Sequence, residues 1–379
     1  MYISRQISQK IKDDLKTSRK IVIIYGPRQV GKTTLVNKIL DELNFKSLKV
    51  NAEQIKYQSI LSSRDVNKLR SLIGGSQLLF IDEAQYIDQI GLNLKLIYDH
   101  LPQTKIIVTG SSSFDLANKI NEPLTGRSWN YILYPISYLE LSKENSKLEL
   151  LNNLEERLVY GSYPEVITTN GYLEKQRYLQ QITGAYLFKD IFAFASIKYH
   201  SKIKQLLKLI AFQIGYEVSI QELATQLSIS RDAVNNYLDL LQKSFIIFKL
   251  SAFSRNLRKE VMKMDKIYFY DLGIRNALIE NFNLLDSRQD KGQLWENFLI
   301  NERLKHNNYT FHFCNSYFWR LHSGAELDYI EEYGGKLHGY EFKWKKKYAS
   351  EPESWKKTYP GSTYKTINHE NFLEFITLK

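Results

Sequence analysis

One ten-residue stretch constrains this chain more than any other feature. Tyr25–Thr34 reads YGPRQVGKTT and contains the complete phosphate-loop pattern GxxxxGK[ST]. The β-branched run Ile21–Ile24 precedes the loop and predicts a buried strand, and Thr33–Leu40 follows it with helical character. Strand, glycine-rich loop and helix in this order are the context in which the pattern binds phosphate. The alternative, a glycine-rich turn with an incidental lysine, is disfavoured by that context.

Separate roles can be assigned within the loop. Its two glycines allow the tight turn that points backbone N–H groups at phosphate oxygens, beside the positive end of the following helix. Lys32 is expected to reach the β- and γ-phosphates, and Thr33 to offer its hydroxyl to Mg²⁺. We therefore predict an ATP and Mg²⁺ site formed by Gly26, Pro27, Arg28, Gln29, Val30, Gly31, Lys32, Thr33 and Thr34.

A second motif has the form of a Walker B element. The hydrophobic run Leu78–Ile81 ends in Asp82 and Glu83, which predicts a strand with two carboxylates at its carboxyl end. Asp82 would hold the water shell of Mg²⁺, and Glu83 would act as the general base that polarises the attacking water. The alternative is a buried strand with a polar cap, which the upstream phosphate loop makes less attractive.

Two more positions in this region are candidates for the site. The run Lys105–Thr109 predicts a strand that leads into Ser111, and a polar residue at this strand end senses the γ-phosphate in additional-strand P-loop ATPases. A turn-forming serine is the alternative for Ser111. Arg127 is a candidate arginine finger or sensor arginine, and a solvated charge is the alternative there.

Taken together, these motifs resemble the prokaryotic AAA+ ATPases that carry a C-terminal domain of uncharacterised function. The resemblance covers essentially the whole chain and is carried by Gly26–Thr34, Ile81–Gln85, Thr109–Ser111, Gly126–Arg127, Pro135–Ser137, Gly161–Glu165 and Lys189–Ile191. It implies a sheet in the AAA+ strand order, hydrolysis of Mg-ATP and self-association into a homo-oligomer. It implies no defined substrate.

Bulk properties narrow the class of protein further. The net charge of +11 favours a polyanionic partner, and the single cysteine, Cys314, excludes a disulfide framework and a cysteine-based zinc site. The start of the chain does not resemble a signal peptide, and no apolar run approaches the length of a membrane span. We therefore expect a cytoplasmic protein without a membrane partner.

The middle of the chain predicts a winged helix-turn-helix. Helical patterns around Ile203–Ile210, Ser219–Leu227 and Arg231–Lys243 are followed by two alternating strands, Phe245–Leu250 and Lys266–Tyr270. The third helix offers Arg231, Asn235 and Asn236 to base edges, and the loop between the strands offers Arg255, Arg258, Lys259 and Lys263 to phosphates. Because Asp232 and Asp239 lie on the same helix, contact with DNA and contact with protein both stay open.

The last part of the chain has the spacing of the PD-(D/E)XK nuclease core. Asp328 lies on one predicted strand, and Glu341 and Lys343 share one face of the next. Together with Glu296 from the preceding helix, Asp328 and Glu341 would bind a second Mg²⁺ or Mn²⁺, while Lys343 would position the attacking water. The alternative is a small α/β module in which Glu341 and Lys343 simply pair.

The sequence therefore predicts an α/β protein with four parts. They are an AAA+ P-loop ATPase core (residues 1–145), a helical lid (146–195), a winged helix-turn-helix (196–285) and a restriction-endonuclease-like α/β domain (286–379). The predicted function is hydrolysis of ATP in an AAA+ ATPase that acts on or with DNA. The alternative is an ATP-dependent protein-interaction switch whose C-terminal domain is vestigial and does not cleave.

Overall fold

The computed structural model describes residues 2–111, 123–186, 200–255, 264–321, 323–345 and 348–377. The chain forms two compact units. The first is built mainly from the residues up to Ile136, and the second from Ser137–Ala185 and most of the chain after residue 200. Within the described ranges, no helix combines the length and the apolar character needed to cross a bilayer.

The first unit contains a five-stranded parallel sheet in the order β2-β3-β4-β1-β5. Its strands are β1 (Ile21–Tyr25), β2 (Ser47–Asn51), β3 (Leu78–Asp82), β4 (Lys105–Gly110) and β5 (Ser128–Ile132). Strands β1, β3 and β4 were predicted from sequence to within a residue or two, because short apolar runs bounded by polar turns are typical of buried parallel strands. Strand β4 lies between the phosphate-loop strand and the Walker B strand, so the carboxyl ends of all three meet at one edge.

Helices cover this sheet. They are α1 (Ser8–Thr17), α2 (Lys32–Leu43), α3 (Ile55–Leu61), α4 (Val66–Ile73) and α5 (Ile90–His100). Helix α4 begins where the Asp65 side chain accepts hydrogen bonds from two backbone N–H groups, and it ends at Gly74. Helix α1 begins at Ser8, and Ile3 and Ile7 are buried in the segment before it.

The second unit opens with short helices. They are α6 (Tyr138–Leu141), α7 (Lys147–Asn152), α8 (Leu154–Tyr160), α9 (Pro164–Thr168) and α10 (Tyr172–Gln181). Capping boxes at Ser137 and Ser146 begin α6 and α7. Helices α7 and α8 are separated at Asn153, and α10 continues as a π-helical turn to Tyr186. Lys189–Ile191, which carry part of the family resemblance, lie outside the described residues.

Three helices and an antiparallel strand pair follow. They are α11 (His200–Phe212), α12 (Ile220–Leu227), α13 (Arg231–Lys243), β7 (Ile247–Ala252) and β8 (Asp265–Phe269), with β6 (Glu217–Val218) pairing against β8. The Ser219 hydroxyl accepts a hydrogen bond from the backbone N–H of Glu222 at 3.3 Å, which is the predicted start of α12. Arg258, Lys259 and Lys263 of the predicted wing loop lie outside the described residues. The interpretation of these elements as a winged helix stays a prediction.

The remaining elements extend the same sheet. Helices α14 (Leu272–Leu278), α15 (Lys291–Thr310), α16 (Glu353–Thr358) and α17 (Phe372–Thr377) accompany strands β9 (Asn315–Arg320), β10 (Glu326–Tyr333), β11 (Lys336–Phe342) and β12 (Thr363–Ile367). The strand order is β12-β11-β10-β9-β7-β8-β6. Because β7 pairs in parallel with β9, this sheet continues across the boundary proposed between residues 285 and 286. The three boundaries between the four predicted parts remain predictions.

The aromatic run Phe311–Phe313 forms no strand, although its composition favours one. Helix α15 continues to Thr310, and Phe311 takes a left-handed conformation with φ of 55° as its C-cap. The helix continues because residues of its last turns, among them Arg303, His306 and Tyr309, are buried against the unit. Burial of a helical face outweighs the β-propensity of a short aromatic run.

Candidate functional site

The phosphate loop has a backbone that only glycine permits at two positions. Gly26 has φ of +153°, and a Cβ atom there would lie 2.2 Å from the carbonyl oxygen of Leu133. Gly31 has φ of +91° and is the N-cap of α2. The turn requires these two backbone conformations. It directs the backbone N–H groups at the start of α2 toward one point.

Cationic side chains hold this loop. Lys32 is buried, and its ammonium donates hydrogen bonds to the carbonyl oxygens of Gly26 at 2.9 Å and Pro27 at 3.0 Å. Arg5, also buried, donates to the carbonyl oxygens of Val30 at 2.8 Å and Tyr134 at 2.5 Å. The loop is therefore fixed from within by Lys32 and from outside by Arg5, a residue that the sequence did not single out.

The two predicted magnesium ligands of this unit are in contact. The Thr33 hydroxyl, at the start of α2, donates a hydrogen bond to Oδ2 of Asp82 at 2.8 Å. The hydroxyl of Thr109, at the end of β4, donates to Oδ1 of the same carboxylate. A hydroxyl and a carboxylate at one point form an oxygen-donor set of the kind that Mg²⁺ binds, so the residues present fit this ion.

Glu83 lies beside this carboxylate in an unusual backbone conformation. Its φ is +54°, and its backbone N–H donates to the Thr109 hydroxyl at 3.2 Å. The Gln85 amide nitrogen donates to Oε2 of Glu83 at 2.5 Å and to Oγ of Ser111 at 3.0 Å. The structure thus brings Glu83 and Ser111, both predicted site residues, to one edge of the sheet through Gln85.

Arg127 lies at the opposite end of the strands from the phosphate loop. Its carbonyl oxygen accepts a hydrogen bond from the N–H of Ile21 at 2.9 Å, which is where β1 begins, whereas the phosphate loop follows the other end of β1. Along a strand these positions are separated by about 13 Å. The guanidinium is 3.3 Å from Asp99 and about one third exposed, at 35%. A sensor role at its own chain's nucleotide does not fit this position.

The second unit gathers the residues predicted to bind a second metal ion. Glu296 on α15 accepts hydrogen bonds from the Lys266 ammonium at 3.0 Å and from the Tyr268 hydroxyl at 2.5 Å. Asp328 on β10 accepts from the backbone N–H of Phe342 at 2.6 Å. Both donors to Glu296 come from β8 and were not predicted.

Glu341 and Lys343 are in contact at 2.5 Å, which is the pairing named as the alternative to a catalytic role. Burial raises the pKa of Glu341, and the Lys343 ammonium only partly offsets this effect. Burial lowers the pKa of Lys343, but the bond to Glu341 outweighs it, so the lysine's pKa lies above its ordinary value.

Glu296, Asp328 and Glu341 form an acidic cluster whose charges interact. Burial raises the pKa of Asp328 well above its ordinary value, and the nearby charges of Glu296 and Glu341 raise it further. Burial lowers the pKa of Lys266, but Glu296 and Asp328 outweigh it and the pKa is raised. The predicted acids therefore influence one another, and two buried or half-buried lysines balance their charge.

A different set of side chains lies close enough together to be considered as metal ligands. Among the described residues, ligand atoms of His312, Cys314 and Glu331 lie within 4.8 Å of one another, and the acidic cluster forms no such set. Both oxygens of Glu331 accept from the guanidinium of Arg303, each at 2.8 Å. Burial raises the pKa of the Cys314 thiol to about 11, so it is protonated at neutral pH. Because the Glu331 carboxylate is already paired with Arg303 and the Cys314 thiol is protonated, these three side chains do not form a site for a cation.

Comparison with protein families divides the chain into three parts. Residues 18–142 match the family model described as "AAA domain". We refer to these residues as the AAA domain, after the model that they match. Residues 151–285 and 291–366 match two further models, each described as a domain of unknown function (DUF8612 and DUF4143).

Curated relatives match both the AAA domain and the regions after it. An uncharacterized protein of Methanocaldococcus jannaschii is 28% identical over an alignment of 303 residues, and the match covers 75% of this chain and 66% of that protein. An uncharacterized protein of Mycobacterium tuberculosis is 26% identical over an alignment of 333 residues, and the match covers 85% of this chain and 70% of that protein. The chain thus spans about two thirds of the length of these relatives.

Among solved structures, a mutant of Thermotoga maritima RuvB covers 65% of this chain and 90% of its own length, at 15% identity and a TM-score of 0.35. Aquifex aeolicus DnaA bound to AMPPCP covers 62% of this chain and 86% of its own length, at 15% identity and a TM-score of 0.33. TM-scores below 0.5 establish no correspondence of whole folds.

Three residues at the AAA domain's site were missed from sequence: Arg5, Thr109 and Gln85. The signal for Thr109 was a polar residue at the end of an otherwise apolar strand, which needs a buried partner. Gln85 lies two residues after Glu83 in the Walker B motif and was quoted without a role. Arg5 gave no local signal, because its partners lie 25 and 129 residues away in the chain.

Proposed function

We propose that the AAA domain binds Mg-ATP and hydrolyses its γ-phosphoanhydride bond. The observation that carries this proposal is the 2.8 Å contact between the Thr33 hydroxyl and the Asp82 carboxylate. These side chains come from two separate motifs, and each motif independently predicts a ligand of the same ion. Lys32 inside the loop supplies the positive charge that the β- and γ-phosphates need.

The reaction assigns one task to each residue. The loop N–H groups and Lys32 bind the phosphates, and Thr33 and Asp82 would hold Mg²⁺, which would neutralise the charge that develops on the phosphate oxygens. A water oxygen attacks the γ-phosphorus, the bond from that phosphorus to the β,γ-bridging oxygen breaks, and ADP leaves. Glu83 accepts the proton of the attacking water. Ser111 would lie beside the γ-phosphate.

The test is phosphate release from Mg-ATP, together with nucleotide binding by isothermal titration. Lys32→Ala should weaken ATP binding by at least about tenfold, because the phosphates lose their cationic partner. Lys38→Ala, on the same helix but beyond the loop, is the matched control and should bind as the natural protein does. Equal ATP affinities in both variants would remove the loop lysine from nucleotide binding.

We propose a second function, contact with DNA, for the helices α12 and α13 and the strands that follow them. Arg231, Asn235 and Asn236 are exposed on α13, and the net charge of +11 favours a polyanion. Asp232 and Asp239 are exposed on the same helix and favour a protein partner instead. A gel shift across a salt series separates the two, because phosphate contacts weaken steeply with salt. No shift at low salt would leave the protein-interaction switch.

We propose further that Glu296, Asp328 and Glu341 bind Mg²⁺ or Mn²⁺ and that Lys343 positions a water for phosphodiester cleavage. Burial raises the pKa of Asp328, and the nearby charges of Glu296 and Glu341 raise it further; this supports the proposal, since a cation relieves such crowding. Mn²⁺ should raise the melting temperature of the full chain, and Asp328→Ala should abolish that increase. Glu332→Ala, further along β10, is the control.

Cleavage is tested separately by plasmid nicking. Lys343→Ala should stop nicking while most metal binding is kept, because the lysine is not a ligand. If Mn²⁺ neither stabilises the protein nor supports nicking, the domain is a binding scaffold in which Glu341 and Lys343 form a structural pair. The proposal for the AAA domain would stand unchanged.

A further inference from the structure

Gln85 links two residues of the nucleotide site that do not touch each other directly. It lies in the short 3₁₀ turn after β3, and only 4% of its surface is exposed. Its amide nitrogen is 2.5 Å from Oε2 of Glu83 and 3.0 Å from Oγ of Ser111. Because a side-chain amide carries two hydrogens, one N–H group is available for each partner.

The contact between Gln85 and Glu83 affects the direction of the Glu83 carboxylate. Its backbone has φ of +54°, and its N–H is bound to the Thr109 hydroxyl at 3.2 Å, so the start of its side chain is fixed. The direction of the carboxylate is then decided by what its oxygens bind. A hydrogen bond to an ionised carboxylate is stronger than a neutral one, and the Gln85 amide supplies such a bond.

Ser111 can serve two partners at once. A serine hydroxyl has one hydrogen to donate and two lone pairs that accept. Its oxygen accepts from Gln85, which leaves the hydrogen free to point at an anion beyond the end of β4. A γ-phosphate oxygen there would complete a chain in which Ser111 donates to phosphate while Gln85 donates to both Ser111 and Glu83. Hydrogen bonds in such chains strengthen one another.

We propose that Gln85 is a positioning residue that couples Ser111, on the γ-phosphate side, to the orientation of the general base Glu83. This inference rests on the proposed ATPase function and extends it. With ATP bound, the ordered serine fixes the Gln85 amide, and the amide holds the Glu83 carboxylate toward the attacking water. With ADP bound, Ser111 has no γ-phosphate to bind, and Glu83 is held less firmly.

The first test is a double-mutant cycle on turnover, with ATP affinity measured in parallel. Gln85→Ala and Ser111→Ala should each lower kcat by about tenfold or more and leave the ATP dissociation constant within about threefold. Because both changes break one chain, the double variant should be no slower than the slower single variant. Gln89→Ala, an exposed glutamine nearby, is the control and should keep full turnover.

The second test distinguishes positioning from a structural role. Gln85→Glu keeps the side-chain shape but places a second carboxyl group against Glu83. The pair should share a proton, so the acid limb of the kcat–pH profile should move to higher pH.

A purely structural role would lower the melting temperature without moving that limb. Additive effects of Gln85→Ala and Ser111→Ala, or an acid limb unchanged in Gln85→Glu, would overturn the coupling. If the natural protein neither binds nor hydrolyses ATP, the proposed ATPase function fails instead.

Discussion

Thr109→Val is the substitution that most sharply tests how the nucleotide site is held together. The Thr109 side chain is fully buried; its hydroxyl donates to the Asp82 carboxylate and accepts from the Glu83 N–H at 3.2 Å. Valine keeps the shape and removes both bonds. A hydrogen bond to a charged group contributes about 1.5–3 kcal/mol and a neutral one about 0.5–1.5 kcal/mol, so the free energy of unfolding should fall by about 2–4.5 kcal/mol.

Thr109→Ser is the matched control. It keeps the hydroxyl and loses one buried methyl group, which should lower the free energy of unfolding by about 1 kcal/mol.

The assay is thermal unfolding of the full chain, in which the transition of the AAA domain is identified by its shift with Mg-ATP. Phosphate release is measured on the same samples. We expect Thr109→Val to lower both the melting temperature and kcat more than Thr109→Ser does. If the two variants melt and turn over alike, the hydroxyl does not position Asp82 and Glu83, and the geometry of this edge contributes little to the site.

Two further predictions concern other parts of the chain. Arg127 lies away from its own phosphate loop, so we expect it to act on the nucleotide of a neighbouring copy: mixing Arg127→Ala with Lys32→Ala protein should restore some ATPase activity, and no rescue at any ratio, with assembly intact, would exclude action in trans. Burial raises the pKa of Asp271 to about 6, so its protonated form is favoured on folding. Its contribution to stability is complete below about pH 4 and is lost as the pH rises through about 6, a change of about 3 kcal/mol. Melting curves between pH 4 and pH 7 should therefore depend less steeply on pH in Asp271→Asn, and an unchanged slope would count against this titration.

The AAA domain was predictable from sequence because its main signals are local. The apolar runs of β1, β3 and β4 identify buried strands, and the Walker motifs follow the first two of them directly. The meeting of Thr33 and Asp82 then follows from the parallel sheet, in which carboxyl ends share one edge. What stayed unpredicted, such as the Arg5 contact with Tyr134, depends on residues far apart in the chain.

The acidic cluster shows the same limit. Asp328, Glu341 and Lys343 were found from their spacing in the sequence. The antiparallel pairing of β10 with β11 is enough to bring this part of the chain together. Lys266 and Tyr268 were missed, because only the joining of β7 to β9 places β8 in the same sheet as β10. The end of α15 shows a related limit: whether this helix stops or continues is decided by tertiary burial, which short-range propensity does not contain.

The central claim is that Glu83 takes the proton of the water that attacks ATP bound in the phosphate loop. Glu83→Gln tests it most directly, because the amide keeps the size of the side chain but cannot accept that proton. Nucleotide binding by titration and phosphate release should be measured on the same preparation. We predict that Glu83→Gln binds Mg-ATP with nearly unchanged affinity and that its kcat falls by about a hundredfold or more. Turnover at the natural rate with intact binding would contradict the account and remove Glu83 from catalysis.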